Sequence, residues 1–420
     1  MEFLKIDKKN VKRALRKLSH LVFEVTDRCN LNCNYCAYSE LYRDYDERIG
    51  ADMSFAKAKQ IICYMYNLWK DSYSEGLNRK VTIGFYGGEP LLNISLVKQI
   101  IGYLENLEGI GIVYSFAMTT NGMLLDEHMD FLAEKKFQIL ISLDGDEFSQ
   151  SYRVDHFGRN SFSQVFNNVK LVQEKHPDFF ENCINFCSVL HSRNDMEPVF
   201  QFINANFGKV PLFSTLSETG ICETKKDEFR KMFRNPSESF YRSKNCSVLE
   251  NELMDMTPRV KALADYIQHQ SGNIFKTYNQ LFVCRSALSL PATGTCVPFI
   301  RRMFISVQGK ILPCERIGHQ FSLGQVYDDH VVLDEEYIAD VHNQYTSKYI
   351  DQCVDCALKW RCAKCVYQIA DLLSEKTRCN SFLSTNDLAK YNEVVFEFLQ
   401  ANPQYYRKIV EHKAMLSRID

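Results

Sequence analysis

The stretch Asp27-Arg28-Cys29-Asn30-Leu31-Asn32-Cys33-Asn34-Tyr35-Cys36 carries three cysteines at CxxxCxxC spacing. Three thiolates from one tight loop can hold three irons of a 4Fe-4S cluster, whereas full protein ligation takes four cysteines. The loop offers no fourth Cys or His, so the fourth iron is left open to bind a small chelating molecule and pass it an electron. A zinc site with a closed shell cannot do this. A second group follows downstream: Cys284, Cys296, Cys314 at the end of Gly309-Lys310-Ile311-Leu312-Pro313-Cys314, the CxxC pair Cys353 and Cys356, then Cys362, Cys365 and Cys379. Eight thiolates complete two further 4Fe-4S clusters, although two CxxC pairs could also make a zinc site with four cysteine ligands. The chain has sixteen cysteines, and the five outside these groups (Cys63, Cys183, Cys187, Cys222, Cys246) read as small buried hydrophobes.

Three further motifs end apolar runs. Gly87-Gly88-Glu89-Pro90 combines glycines, which let backbone approach closely, with a charged acceptor. Thr119-Thr120-Asn121-Gly122 and Ser142-Leu143-Asp144-Gly145 add polar side chains, and Arg153 follows in SQSYRVDHFGRNSF. With CxxxCxxC and Tyr35 just before its third cysteine, this set resembles the radical S-adenosylmethionine superfamily. The resemblance implies that Cys29, Cys33 and Cys36 hold a 4Fe-4S cluster whose open iron takes S-adenosylmethionine. It further implies cofactor contacts from Tyr35, Gly87, Gly88, Glu89, Asn121, Ser142 and Arg153, Arg153 toward the methionine carboxylate. His156 and His191 read as loop histidines with satisfied hydrogen bonds.

The downstream cysteines resemble the SPASM module of that superfamily. By this resemblance Cys284, Cys296, Cys314 and Cys365 hold the nearer auxiliary cluster, and Cys353, Cys356, Cys362 and Cys379 the farther one. One departure stands out: only Ala363 and Lys364 separate Cys362 from Cys365, where the family usually has three residues.

These motifs need a scaffold that brings strand ends together. Apolar runs at 21–25, 81–85, 112–118, 137–143, 184–190 and 210–216 alternate with segments of helical period, the pattern of βα units on a parallel sheet. Ser54 is expected to cap a helix, and Val165, Val169 and Val172 recur at helical spacing. The expected fold is α/β, a partial (β/α)6 TIM-like barrel with the site at the C-terminal strand ends and a C-terminal SPASM module. The expected divisions are an N-terminal extension (1–19), the barrel (20–216), a helical linker (217–283), the SPASM domain (284–385) and closing helices (386–420). Gly309 is expected to turn a hairpin between RMFISV and KILPC.

Composition narrows the partners. The 420 residues carry 50 basic against 52 acidic side chains, so no single-sign field holds a nucleic acid or a membrane surface. No signal peptide or membrane-length apolar run is present, which points to the cytoplasm, and the basic start reads as a solvated helix face. The SPASM resemblance implies a peptide or protein substrate, with maturation of a ribosomally made peptide as the first reading and anaerobic sulfatase maturation as the alternative. Glu315 is the candidate catalytic base. The resemblance also implies a flavodoxin or ferredoxin donor, and leader recognition by a separate protein or a surface in 217–280. A noncatalytic zinc-binding interaction protein is the reading from another class.

Overall fold

The computed structural model describes residues 3–71, 79–107, 111–254, 257–271, 292–359, 362–370, 372–375 and 377–416. Cys284 lies outside them. The chain divides into two compact units. One comprises Ile6–Arg234 with Cys296–Gln344, and the other Met1–Lys5, Asn235–Thr295 and Tyr345–Asp420.

In the first unit six parallel strands follow one another in space: β1 (His20–Thr26), β2 (Arg79–Gly87), β3 (Ile112–Thr120), β4 (Gln138–Ser142), β5 (Ile184–Leu190) and β6 (Leu212–Thr215). The six expected strands are all present, within a few residues of their expected limits. Helix α1 (Lys8–Lys17) leads into β1, and α2 (Phe55–Lys70), α3 (Ile94–Glu105), α4 (Leu125–Glu134), α5 (Phe162–Lys175), α6 (Pro177–Cys183) and α7 (Met196–Phe207) lie between the strands. Ser54 caps α2 by accepting from Lys57 N at 3.2 Å, and Val165, Val169 and Val172 are the buried stripe of α5. β1 is buried on both faces, whereas β3, β4 and β5 alternate buried with half-buried or exposed positions, one face of each turned to the core.

The sheet does not stop at β1. β7 (Met303–Ile305) adds to it in parallel, and β8 (Lys310–Leu312), β9 (Gly324–Val326) and β10 (Val331–Leu333) continue antiparallel, making ten strands. The β7–β8 hairpin turns at Gly309, with φ +89°, where a side chain would also strike Val326 O at 2.2 Å. The five isolated cysteines are half-buried instead of deeply packed; Cys63, for example, meets the Tyr103 hydroxyl at 2.9 Å.

In the second unit, helices Pro258–Ser271, Thr385–Ala401 and Gln404–Leu416 share a small core that includes Val260, Leu263, Ile267, Val395 and Ile409. Among the described residues no helix is long and apolar enough to cross a membrane.

Phe23 is fully buried at the middle of β1, paired with both β2 and β7. Phe23→Ala should lower stability by about 3–5 kcal/mol through cavity formation, read as a lower urea midpoint.

Candidate active site

The three-cysteine loop leaves the C-terminal end of β1 and is fixed from three sides. At its root the Asp27 carboxylate accepts from Ile49 N at 3.0 Å and Ala51 N at 2.7 Å, and Arg28 forks onto Asp52 at 2.7 Å. Across its middle, Asn32 N donates to Val154 O at 2.7 Å and Asn34 N to Tyr152 O at 3.0 Å. His156 Nε2 lies 2.8 Å from Cys29 O. A carbonyl only accepts, so Nε2 carries the proton there and is not free to ligate a metal.

The third side is the end of β2. Gly88 N donates to Thr26 O at 2.9 Å and Glu89 N to Arg28 O at 2.8 Å. A Cβ on Gly87 would stand 2.2 Å from Thr26 O, and one on Gly88 2.1 Å from Arg28 O. Both glycines are therefore required by close backbone approach, and Gly87, at φ +146°, also needs glycine's conformational freedom. Glu89 is fully buried, with Oε1 accepting from Thr120 Oγ1 at 2.7 Å and Leu91 N at 3.1 Å, and Oε2 from Asn121 N at 2.7 Å. Burial pushes its carboxyl up to about 7 despite these donors. It ties the end of β2 to the end of β3.

These elements enclose a cavity of about 650 Å³ lined by Cys29, Cys33, Cys36, Gly87, Gly88, Glu89, Asn121, Ser142 and Arg153, together with Arg48 and His156. Burial pushes the Cys29 thiol up to about 11, with Glu89 and then Cys36 adding to it, and Cys33 up to about 12, with Cys36 and Cys29 adding. Leu31 N (3.5 Å) and Asn121 Nδ2 (3.8 Å) approach Cys29 Sγ, and Arg48 Nη2 approaches Cys36 Sγ at 3.9 Å. Asn121 is held by Asn30, 2.7 Å away.

Tyr35 is not among the cavity-lining residues. Its hydroxyl donates to Asp144, which is buried just beyond the end of β4. Arg153 Nε and Nη2 reach the same carboxylate at 2.9 and 3.1 Å, Val189 N donates to it at 2.9 Å, and His191 Nε2 stands 3.4 Å away. Burial alone would raise the Asp144 carboxyl; Arg153 and His191 outweigh it and hold the group well below the usual carboxylate range. Arg153 thus borders the cavity with two of its nitrogens already engaged. Asp144 and Arg48 escaped sequence reading. Asp144 sits inside the quoted SLDG motif, but Arg48 carries no local signal.

A second cavity, of about 500 Å³, occupies the barrel interior and includes His20, Phe85, Met118, Ile139, Arg302 and Glu315. Tyr86 and Thr119 border both cavities. Glu315 is paired with Arg302, which outweighs burial and keeps its carboxyl below the ordinary value.

Of the second cysteine group, Cys296 and Cys314 belong to the first unit. Cys353, Cys356, Cys362, Cys365 and Cys379 belong to the other. There Gln352 bridges to Cys379, accepting from its N–H at 3.0 Å and donating to its carbonyl at 3.2 Å. Burial raises the Cys353 thiol, and Cys362, Cys356 and Cys379 raise it further. Gly294 packs on the Cys362 carbonyl, where a Cβ would stand at 2.1 Å.

Two outcomes follow. Gly88→Ala should displace the cysteine loop, costing about 1–3 kcal/mol and lowering iron retention after anaerobic reconstitution. Asp144→Asn leaves Arg153 buried without its counter-charge and should cost about 3–5 kcal/mol, against about 1–2 kcal/mol for Tyr35→Phe. Because the Asp144 pKa is depressed on folding, its stabilisation is complete above the ordinary value near 4 and is lost as pH falls toward the folded value. Denaturation midpoints between pH 7 and pH 3 should therefore fall less steeply in Asp144→Asn than in the parent chain.

The Radical SAM superfamily profile matches residues 23–203. A cysteine-type anaerobic sulfatase-maturating enzyme of Clostridium novyi is 29% identical over 163 residues, 38% of this chain and 41% of that protein. A radical SAM cyclopropyl synthase of Paramaledivibacter caminithermalis is 23% identical over 344 residues, 81% of this chain and 66% of its own length. The chain thus spans less than two thirds of either relative. The solved structure of native anSMEcpe with bound AdoMet matches with a TM-score of 0.60 at 18% identity, covering 93% of this chain and 99% of that one, a likeness of fold. Residues 23–203, the segment that carries the three-cysteine loop and the strand-end motifs, are thus the part of this chain that matches the Radical SAM superfamily.

Proposed function

We propose that this chain is a radical S-adenosylmethionine enzyme that modifies a ribosomally made peptide by hydrogen abstraction. The observation that carries this reading is the pair of cavities sharing Tyr86 and Thr119, one holding three cysteines and the other a paired carboxylate. A molecule held over the sulfurs and a side chain in the barrel interior would meet at that common wall.

The residues fit the groups the reading requires. Among the described residues no three His, Cys, Asp or Glu side chains meet closely enough to hold one metal ion. A 4Fe-4S cluster asks for something else, one sulfur per iron around a cube. Three adjacent thiols with His156 Nε2 occupied by Cys29 O match a cluster with one open iron better than a closed zinc site. When bound, the cluster and S-adenosylmethionine supply a carbon radical that abstracts hydrogen. Gly87 and Gly88 bring backbone to the rim of the cavity, Asn121 and Ser142 offer polar contacts, and Arg153 lends positive charge near a carboxylate. Glu89, in the cavity wall, and Tyr35, behind it, hold strand ends and loop in register. Glu315, kept ionised by Arg302, can take a proton from a substrate in the interior.

The electrostatic influence of Cys356, Cys362 and Cys379 on Cys353 supports one auxiliary cluster on these four cysteines, and a second auxiliary cluster completes the reading. The electron source in this reading is a flavodoxin or ferredoxin, and a separate protein could present the leader. Formylglycine formation is the second reading, favoured by the Glu315 carboxylate in the barrel interior beside Cys314.

Anaerobic reconstitution should give about twelve irons per chain. Cys29→Ala, Cys33→Ala and Cys36→Ala together should abolish 5'-deoxyadenosine formation with dithionite, while Glu315→Gln should retain it and lose modified peptide by mass spectrometry. Colourless protein containing zinc would overturn the reading. Because oxidation of Ser to an aldehyde removes the same two hydrogens as a crosslink, trapping with a hydrazide, which only the aldehyde undergoes, separates the two chemistries.

A further inference from the structure

Helix α1 has a second face that the site does not use. Asp7 caps it, accepting from Asn10 N at 2.9 Å, and Val11, Ala14 and Leu15 are buried. On the other side Lys9, Lys12, Arg13, Arg16 and Lys17 recur at i, i+3, i+4, i+7 and i+8, one continuous stripe. With Arg79 they line a surface hollow of about 390 Å³ whose lining is entirely cationic. Arg79 is fixed there by Arg16 O at 2.5 Å and Leu18 O at 2.6 Å, and its guanidinium lies 5.6 Å from the Trp69 ring centre.

Such a stripe is unfavourable by itself. Lys9 with Arg13, Lys12 with Arg16, and Arg13 with Lys17 are like-charge pairs at i,i+4, which destabilise a helix. Among the described residues none of the six lining cations has a carboxylate within salt-bridge distance, and buried Arg16 Nε has no hydrogen-bond partner. The chain as a whole is nearly neutral, so this concentration is local. Only Leu18 and Ser19 separate the stripe from His20, which lines the barrel interior.

We infer that the cationic face of α1 docks an acidic, Asp/Glu-rich segment of the peptide substrate, beside the entry of its reacting part into the barrel interior. The inference rests on the peptide-modifying reading above. The stripe is about 12 Å long at 1.5 Å per residue, and an extended chain presents same-side carboxylates about every 6.6 Å, so about two can meet it. A nucleic acid fits less well, because the lining holds no aromatic ring on which a base could stack.

The test uses the full reconstituted chain and a fluorescein-labelled Glu-Ser copolymer peptide, read by anisotropy and by hydrogen exchange. Binding should slow exchange over residues 8–17 and weaken steeply with salt. Lys9→Glu, Lys12→Glu and Arg13→Glu together should weaken it by about tenfold or more, while the charge-preserving set Lys9→Arg, Lys12→Arg and Arg13→Lys should bind as the parent does. Circular dichroism should be unchanged in both. Undiminished binding by the reversed set, protection outside α1, or tighter binding of a single-stranded oligonucleotide at the same salt would overturn the inference. Cofactor cleavage without peptide should be equal in parent and reversed chains. Capture on α1 by a chain that never cleaves S-adenosylmethionine would support the docking face and overturn the enzymatic reading.

Discussion

The buried carboxylate of Asp144 is the constraint on which the cysteine loop depends. It gathers a tyrosine from inside the loop, an arginine from the following segment, a backbone amide of β5 and a histidine beyond it. An unpaired charge in that position would be strongly unfavourable, so the arrangement is close to all-or-none. Tyr35 stands between Cys33 and Cys36, so anchoring its hydroxyl tethers the segment that carries both cysteines. Backbone contacts do the same at the other end, where Gly87 and Gly88 lock β2 against the loop's root.

Much of this was legible in the sequence. The βα alternation gave the six strands because each is a short, mostly apolar run bounded by segments of helical period. The motifs at strand ends are local, and cysteine spacing needs no three-dimensional context. Ser54, Val165 and Gly309 were readable for the same reason: capping, helical period and positive φ are properties of a few adjacent residues.

What was not legible depends on contacts far apart in the chain. Tyr35 reads as a cofactor contact beside its cysteine, but its partner lies 109 residues away. Arg48 reaches Cys36 through a loop with no regular pattern, and its cation also lies over the Tyr38 ring at 4.2 Å. The extension of the sheet through β7 to β10 was hidden because three-residue strands carry almost no periodicity. The stripe on α1 was visible as charge, but its crowding without carboxylates appears only when neighbours are known.

The parallel pairing of β7 with β1 has a consequence for how such a chain can be divided. The strand that launches the cysteine loop is an interior strand only because a segment some 280 residues later in the chain completes it, and Val307 N also donates to buried Glu24 on β1 at 2.9 Å. Residues 235–295 are, in this sense, an excursion out of one continuous sheet. A chain ended after β6 would expose the apolar edge of β1, an invitation to intermolecular pairing. The two halves of the sheet are consequently inherited, exchanged or lost together, and recombination between relatives should find its permissive joints at the borders of that excursion, not at the end of the βα repeat.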